Sequence, residues 1–258
     1  MRLGLATRGN TYLSVEDVVC GVDRGVNYLN WCGYDDGIAQ ALRTGQIERQ
    51  RVVVAMQLES RDASSAAREL EDAFRTLGTD HIEVATFHYV EHKSEWEQIV
   101  APGGALRALE EARQSGRVRL IGLTTHQRKL AAECCLTKKL DLLMVRYNAA
   151  HRGAEQDVFP VTERLGIPVV AFTAQRWGAL SRPTRTDPPG FTPPAAREWY
   201  RFALAQPAVS VVLMAPENRK ELEDDISLLS DWRLPTASEL ETMTAHGLRV
   251  RRHAGYFP

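Results

Sequence analysis

Polar side chains with acid–base or hydrogen-bonding chemistry follow short apolar runs in the sequence. The run at residues 82–87 ends at His88, and a later run ends in Thr124, Thr125 and His126. A helical pattern lies between the two runs, so together they predict a strand–helix–strand unit. In a parallel barrel the carboxyl ends of the strands face the active site. We therefore expect these polar groups to lie at an active site.

Further reactive side chains follow other predicted strands. Cys32 and Tyr34 follow the second strand, and Arg176 follows the seventh. An arginine can clamp a carboxylate or a phosphate through paired N–H groups. A nucleophilic Cys32 thiolate would need a nearby base, for which His88 is the candidate. The alternatives are a hydrogen-bonded barrel histidine, a loop tyrosine packed over the barrel and a small apolar cysteine.

Strand and helix patterns alternate eight times along the chain. The strand patterns are continuous apolar runs, as expected for strands buried on both faces. They cover residues 3–7, 27–31, 51–58, 82–87, 118–126, 142–148, 168–173 and 209–214. The pattern predicts an α/β fold of the (β/α)8 TIM barrel type, a parallel eight-stranded sheet with outer helices. An open doubly wound sheet is disfavoured because no Gly-x-Gly-x-x-Gly turn follows the first strand.

The helix patterns fill the connections between the strands, and we predict one domain over residues 1–258. The predicted helices cover residues 14–25, 35–44, 63–77, 105–116, 127–137, 154–165, 196–205 and 218–229. A proline-rich loop at residues 181–194 follows the seventh strand and could act as a lid. Residues 236–258 add an extra helix and a tail, which could cover the bottom of the barrel or part of its active-site end.

Composition narrows the function classes. The chain has 258 residues, is 44% hydrophobic and carries a formal net charge of -1 with both signs interspersed. This balance favours a single core and a small-molecule substrate over nucleic acid or a membrane surface, and leaves the oligomeric state open. No signal peptide is evident, and the four cysteines fit no zinc spacing, so we expect a cytoplasmic protein with reduced thiols and no metal.

Several segments, in the correct order, resemble the aldo-keto reductase family. They are Gly25-Val-Asn-Tyr-Leu, Leu77-Gly-Thr-Asp80 leading to His88, Gly116-Arg-Val-Arg-Leu-Ile-Gly-Leu-Thr, Arg146-Tyr-Asn148 and Ala171-Phe-Thr-Ala-Gln-Arg-Trp-Gly-Ala-Leu180. The resemblance covers nearly the whole chain. It implies a barrel that reduces carbonyl compounds with NADPH.

The resemblance also implies a catalytic set, which this sequence alters. The family uses a tyrosine as proton donor, a lysine that lowers the pKa of that tyrosine, an aspartate that orients the lysine and a histidine that polarises the carbonyl. The matching residues here are Tyr34 (or Asp35), Gln57, Asn30 and His88. Without the lysine, a phenol with a reference pKa near 10 is a poor acid at neutral pH.

The cofactor positions implied by the resemblance lie on strands five to seven. The residues that hold the nicotinamide carboxamide in the family match Thr124, Thr125 and Met144 here. The threonines keep hydroxyl groups at this place, but an amide side chain of the family is missing. Phe172, followed by Thr173, matches the aromatic residue that stacks on the ring.

The phosphate contacts of the family follow strand eight. In the matching segment Asn218 can cap a helix, whose free N–H groups suit an anion. Arg219 and Lys220 could meet a 2′-phosphate, whereas Glu217 places a negative charge nearby. A capped helix with a solvated charged face is the alternative.

Three functions follow from these residues. The first is an NADP(H)-dependent oxidoreductase with an altered active site, in which Arg176, His126 and Trp31 contact the substrate. The second is a non-redox lyase or isomerase that uses His88 and Arg176 on a small anion. The third is a catalytically silent binding protein, whose pocket Trp31, Trp177 and Met144 would fill.

Overall fold

The computed structural model describes residues 3–7 and 13–253. Eight strands form a closed parallel barrel in which β1 pairs with both β2 and β8. The strands are β1 (Leu3–Ala6), β2 (Tyr28–Trp31), β3 (Val53–Leu58), β4 (Ile82–Phe87), β5 (Val118–Thr125), β6 (Leu142–Arg146), β7 (Val169–Phe172) and β8 (Val209–Met214). All eight lie within two residues of the predicted ends, and the predicted (β/α)8 barrel is confirmed.

Helices lie on the outside of the barrel. Within the described part of the chain they are α1 (Val15–Asp23), α2 (Gly37–Arg43), α3 (Ala63–Leu77), α4 (Lys93–Val100), α5 (Ala105–Gln114), α6 (Arg128–Leu136), α7 (Ala154–Asp157), α8 (Phe159–Leu165), α9 (Ala196–Leu204), α10 (Arg219–Ile226) and α11 (Ala237–His253). Helix α4 was not predicted. It starts where Glu95 accepts the N–H of His92, and it buries Trp96.

The helix predicted over residues 154–165 is in fact two helices. Helix α7 ends at Asp157, and α8 begins at Phe159 with Pro160 in its first turn. Proline has no N–H to donate to the preceding turn, and its ring clashes with the carbonyl four residues back. A break at this position is therefore the expected result of Pro160, and the prediction of one continuous helix is wrong.

Side chains alternate between the barrel interior and the helices. Nine residues fill the interior: Tyr28, Ala55, Val84, Leu142, Met144, Val170, Phe172, Val211 and Leu213. Gly4 makes room for them, because a Cβ there would lie 2.7 Å from Leu213 and 3.0 Å from Tyr28. The opposite faces of the strands pack under the helices in one large core. This apolar interior lies directly below the polar residues at the carboxyl ends of the strands.

Helix α11 lies against loops that leave the carboxyl ends of β6 and β7, the end of the barrel that we call the mouth. His246 is buried, with Nδ1 3.2 Å from Asp187 Oδ1 and Nε2 2.9 Å from the Leu180 carbonyl oxygen. Arg249 Nε donates to Asp187 at 2.6 Å. These contacts tie the loop at residues 181–194 to α11. Of the two placements expected for the C-terminal segment, α11 takes the one beside the mouth.

Gly247→Ala should separate α11 from the barrel. A Cβ on Gly247 would lie 2.3 Å from the carbonyl oxygen of Ala149, which is backbone and cannot move aside. We expect the free energy of unfolding, measured with urea, to fall by about 1–3 kcal/mol. Gly103→Ala is the matched control, because a Cβ there meets open space. Equal unfolding midpoints for the two variants would contradict the packing of α11.

Candidate active site

A layer of polar side chains continues the interior faces of the strands at the mouth. Asn30, Gln57, His88 and Thr124 are all buried there, above the ring of Phe172 and the apolar floor. Residues two apart on a strand share a face, so these side chains converge from the ends of β2 to β5. Four of the residues singled out in the sequence therefore lie in one buried layer at the mouth.

The two amides in this layer contact sulfur atoms. Asn30 Nδ2 donates to Cys32 Sγ at 3.5 Å, and Gln57 Nε2 donates to Met144 Sδ at 3.9 Å. Asn30 Oδ1 and Thr124 Oγ1 are buried with no hydrogen-bond partner among the described residues. Buried polar atoms are nearly always satisfied, so these two atoms are suited to hydrogen bonds with a bound ligand.

His88 forms a short polar contact at the mouth. Its Nδ1 lies 2.6 Å from Oε1 of Glu59, just beyond the end of β3. A carboxylate only accepts hydrogen bonds, so Nδ1 carries the proton and donates it. The ring is buried, whereas the Glu59 side chain is 65% exposed. The pair therefore has its imidazole inside the mouth and its counter-charge at the rim.

Aromatic rings surround His88. The ring of Tyr89 lies against that of His88, tilted by 31° at a centroid distance of 3.9 Å, and lies 4.5 Å from the ring of His126. His126 in turn meets Phe172 edge-on at 5.4 Å. Tyr89 also packs against the interior cluster. These rings form one wall of the mouth and offer flat surfaces for stacking.

Backbone strain is concentrated at the same end of the barrel. Tyr89 has a φ of 42°, and Thr173, Arg176 and Trp177 have φ angles of 54°, 49° and 51°. All four follow β4 or β7 at the mouth. Non-glycine residues rarely adopt this conformation, and such residues tend to cluster at functional sites. The backbone conformation therefore indicates a functional site at the mouth, independently of the side chains found there.

Tyr34 and Trp31 lie apart from this cluster. The Tyr34 side chain is 62% exposed, and its carbonyl oxygen accepts the indole N–H of Trp31 at 2.6 Å. Trp31 packs in the helix-side core. Asp35 forms a surface ion pair with Arg43 at 2.9 Å. Within residues 3–7 and 13–253, the Tyr34 hydroxyl makes no hydrogen bond to His88.

The remaining cofactor candidates on the strands differ in their surroundings. The Thr125 hydroxyl accepts the backbone N–H of Gln127 at 2.9 Å. The Thr173 hydroxyl donates to the Phe172 carbonyl at 2.8 Å. Of these three threonines, Thr124 combines a buried hydroxyl with a position over the interior. Trp177 is 67% exposed, so neither it nor Trp31 fills the pocket as the silent-protein hypothesis requires.

Helix α10 already satisfies much of its own N-terminus. Asn218 Oδ1 accepts the Glu221 N–H at 3.0 Å, and Glu221 Oε2 accepts the Glu217 N–H at 3.0 Å. Arg219 donates to Asp17 of α1. This ion pair and the Glu221 carboxylate occupy groups that a phosphate would need.

Burial makes two of the cysteines unreactive. None of the four cysteines, all within the described residues, forms a disulfide, and burial raises the pKa of Cys134 and of Cys135 to about 12. Thiols with such pKa values are inert at neutral pH. The described residues contain no cluster of three or more metal-ligating side chains and no helix long and apolar enough to cross a membrane.

Sequence reasoning missed Glu59 and Tyr89. Glu59 is two residues beyond Gln57, so it continues the interior face of β3 past the strand end. That spacing is a usable signal, but the strand pattern stopped at residue 58. Tyr89 is adjacent to His88, and its unusual backbone conformation is what turns it over the mouth.

Comparison with known proteins agrees with this geometry. The domain model described as "Aldo/keto reductase family" matches residues 7–199. The uncharacterized oxidoreductase YrpG of Bacillus subtilis is 31% identical over 119 residues, 44% of this chain and 35% of that protein. Pyridoxal 4-dehydrogenase of Microbacterium luteolum is 25% identical over 125 residues, 45% and 36% of the two chains. Each match thus spans about a third of the curated relative.

Solved structures show the same fold. The holo form of aldo-keto reductase AKR11C1 from Bacillus halodurans has a TM-score of 0.75 and 18% identity, covering 95% of this chain and 91% of that one. A putative 2,5-diketo-D-gluconic acid reductase B has a TM-score of 0.75 and 19% identity, covering 95% and 86%. With the domain model spanning most of its length, the chain belongs to the aldo/keto reductase family.

Proposed function

We propose that this protein is an oxidoreductase that reduces a small carbonyl compound with NADP(H), using an altered active site. The observation that carries the proposal is the Glu59–His88 pair, 2.6 Å apart at the mouth of the barrel. Four cysteines without a disulfide among them are consistent with a reducing compartment and support a cytoplasmic location.

His88 is the proposed acid. The Glu59 carboxylate accepts from Nδ1 and favours the protonated imidazole, whose Nε2–H can then hydrogen-bond to a carbonyl oxygen. As negative charge develops on that oxygen, His88 donates the proton that completes the alcohol. A free imidazolium has a reference pKa near 6.5 and a phenol near 10, so at pH 7 the imidazolium is the stronger acid. One residue pair thus replaces the tyrosine and lysine expected from the family.

The nicotinamide end of the cofactor fits the residues that are present. Phe172 provides a ring face at the mouth, and Thr124 Oγ1 is a buried hydroxyl suited to hydrogen-bond a carboxamide. When bound, a reduced nicotinamide supplies the hydride that the carbonyl carbon takes up. The role of the protein is to hold the carbonyl oxygen at His88 while the aromatic wall around Tyr89 limits access of water.

The 2′-phosphate end fits less well, because Arg219 is paired with Asp17. Asp17→Asn should release this guanidinium. The amide oxygen of the new side chain can still accept the backbone N–H of Ser14, so the N-terminal cap of α1 is retained. We expect the Kd for NADPH, measured by nicotinamide fluorescence, to tighten about 3- to 10-fold relative to the Kd for NADH.

The control for this prediction is Asp23→Asn on the same helix, since Asp23 pairs with Arg51 instead. It removes one negative charge at the surface without touching Arg219. Equal changes in NADPH and NADH affinity in the Asp17 variant would show that Arg219 does not meet the 2′-phosphate.

A further inference from the structure

A cationic cavity lies beside the proposed reaction site, between the ends of β5 and β6. Its rim is formed by His126, Arg128, Arg146, His151 and Arg251, the last contributed by α11. The cavity has a volume of about 100 Å³. This is well above the roughly 10–15 Å³ that one water molecule needs, and well below the roughly 300–1,000 Å³ of a drug-sized pocket. It suits a small polyatomic ion or one functional group of a ligand.

Positive charge dominates this cavity. Arg128 pairs with Asp157 at 3.2 Å, and His126 pairs with Glu91 at 3.1 Å, so these two carboxylates are engaged at the rim. Burial lowers the pKa of His151 to about 4, and the neighbouring arginines, Arg146, Arg176, Arg251 and Arg128, contribute to that shift. Four guanidinium groups thus act on one imidazole. Several positive charges lining one cavity favour the binding of an anion there.

A glycine shapes the cavity around one of these arginines. A Cβ on Gly153 would lie 1.0 Å from an Nη atom of Arg128, so any other residue at position 153 would expel the guanidinium. Asn148 orients the imidazole of His151 from below, with its Oδ1 3.2 Å from Nδ1. The β6–α7 connection therefore makes room for the Arg128 guanidinium and orients the His151 imidazole at this cavity.

The cavity adjoins the mouth through a shared ring. His126 belongs to the rim and also contacts Tyr89 at 4.5 Å and Phe172 at 5.4 Å. The ring of Tyr89 in turn contacts that of His88 at a centroid distance of 3.9 Å. One aromatic ring therefore separates the rim of the cationic cavity from the proposed acid. A short molecule could place a carbonyl at His88 and an acidic group among the arginines.

We propose that this cavity binds the acidic group, a carboxylate or a phosphate, of the carbonyl compound reduced at His88. The inference rests on the proposed function for the identity of the ligand, but not for the presence of an anion site. Guanidinium groups form charge-assisted hydrogen bonds with either oxyanion, often in pairs.

The test measures anion binding without any cofactor or turnover. Inorganic phosphate and acetate are titrated by calorimetry into the protein, with sodium chloride holding the ionic strength constant. We expect saturable binding, weakened about 10- to 100-fold in Arg146→Met and in Arg251→Met. Gly153→Ala should weaken it as well, by displacing Arg128. Tighter binding of phosphate or of acetate indicates which acidic group the substrate carries.

Arg75→Met is the matched control, because Arg75 lies exposed on α3 and loses the same charge. It should bind both anions as the parent does. Anion binding that is absent, or equally strong in the Arg251 and Arg75 variants, overturns the inference. Reduction of neutral aldehydes without anion binding would contradict only the proposal for the cavity. Anion binding without NADPH-dependent reduction would contradict the proposed function but support the anion site.

Discussion

His88→Gln should lower kcat/KM for carbonyl reduction by about 10²- to 10⁴-fold, the usual contribution of a positioned acid or base. Glutamine keeps a polar group near Glu59 and fills similar space, but it cannot deliver a proton. The measurement is the initial rate of NADPH oxidation with a panel of short aldehydes, with and without an acidic group. Circular dichroism and the Tm of each variant show whether the barrel is intact.

Two further variants assign the role of the pair. Glu59→Gln should retain a hydrogen bond to Nδ1 of His88 but no longer favour the imidazolium. We expect its kcat/KM to fall about 10-fold, less than that of His88→Gln. Tyr34→Phe should change kcat/KM by less than about 3-fold, because an exposed side chain without contact to His88 has little part in proton transfer.

His81→Gln is the matched control for the His88 variant. His81 precedes the same strand at the opposite end of the barrel and pairs with Asp80 at the surface. It should leave kcat/KM unchanged. A large loss with Tyr34→Phe, together with a small loss with His88→Gln, would restore the tyrosine as the proton donor and contradict our assignment.

Asp225→Asn should stabilise the protein by about 2–4 kcal/mol at pH 8. Asp225 is buried in α10 and accepts from the hydroxyl of Tyr200 at 3.1 Å, which in turn accepts from Gln175 at 2.6 Å. Burial, and then the charges of Glu221 and Asp224, raise the pKa of Asp225 to about 7. The amide supplies the same acceptor oxygen without a buried charge.

The sign of the pH dependence follows from that raised pKa. Between about pH 4 and pH 7 the unfolded chain has lost the Asp225 proton while the folded protein retains it. The folded state therefore binds more protons, and stability falls as the pH rises through this window. Urea unfolding at pH 4, 6 and 8 should show the advantage of the Asp225→Asn variant growing from near zero and levelling off above pH 7.

The control for this variant is Glu223→Gln, because Glu223 is an exposed residue of α10 whose charge is not among the causes that raise the pKa of Asp225. It changes the formal charge equally but removes a carboxylate that is solvated in the folded protein, so its effect on stability should be within about 0.5 kcal/mol. An Asp225 variant whose advantage is the same at pH 4 and at pH 8 would show that the buried carboxylate is not the cause.

The barrel was predictable because its strands are short apolar runs, most of them followed by polar residues. Such runs specify strands buried on both faces, and their alternation with helices leaves few topologies. The position of His88 was predictable for the same reason, since it ends the run of β4. What a periodic pattern cannot show is which loop side chain, such as Glu59, then turns to meet it.

Long-range ion pairs account for most of what the sequence did not reveal. Arg219 seemed available for a phosphate, but it meets Asp17, some 202 positions away in the chain. The contact of α11 with the mouth depends on Asp187 and Arg249 in the same way. Pairing of charges over such separations depends on the folded geometry and leaves no local signature.

The pH dependence of kcat/KM for NADPH-linked aldehyde reduction is the most direct test of the His88–Glu59 acid. If a protonated imidazole is the donor, kcat/KM should fall tenfold per pH unit once that imidazole deprotonates, and His88→Gln should abolish this limb. A phenol donor would instead sustain kcat/KM up to about pH 10. A profile that is flat to that pH, or the absence of any NADPH oxidation, would contradict the account.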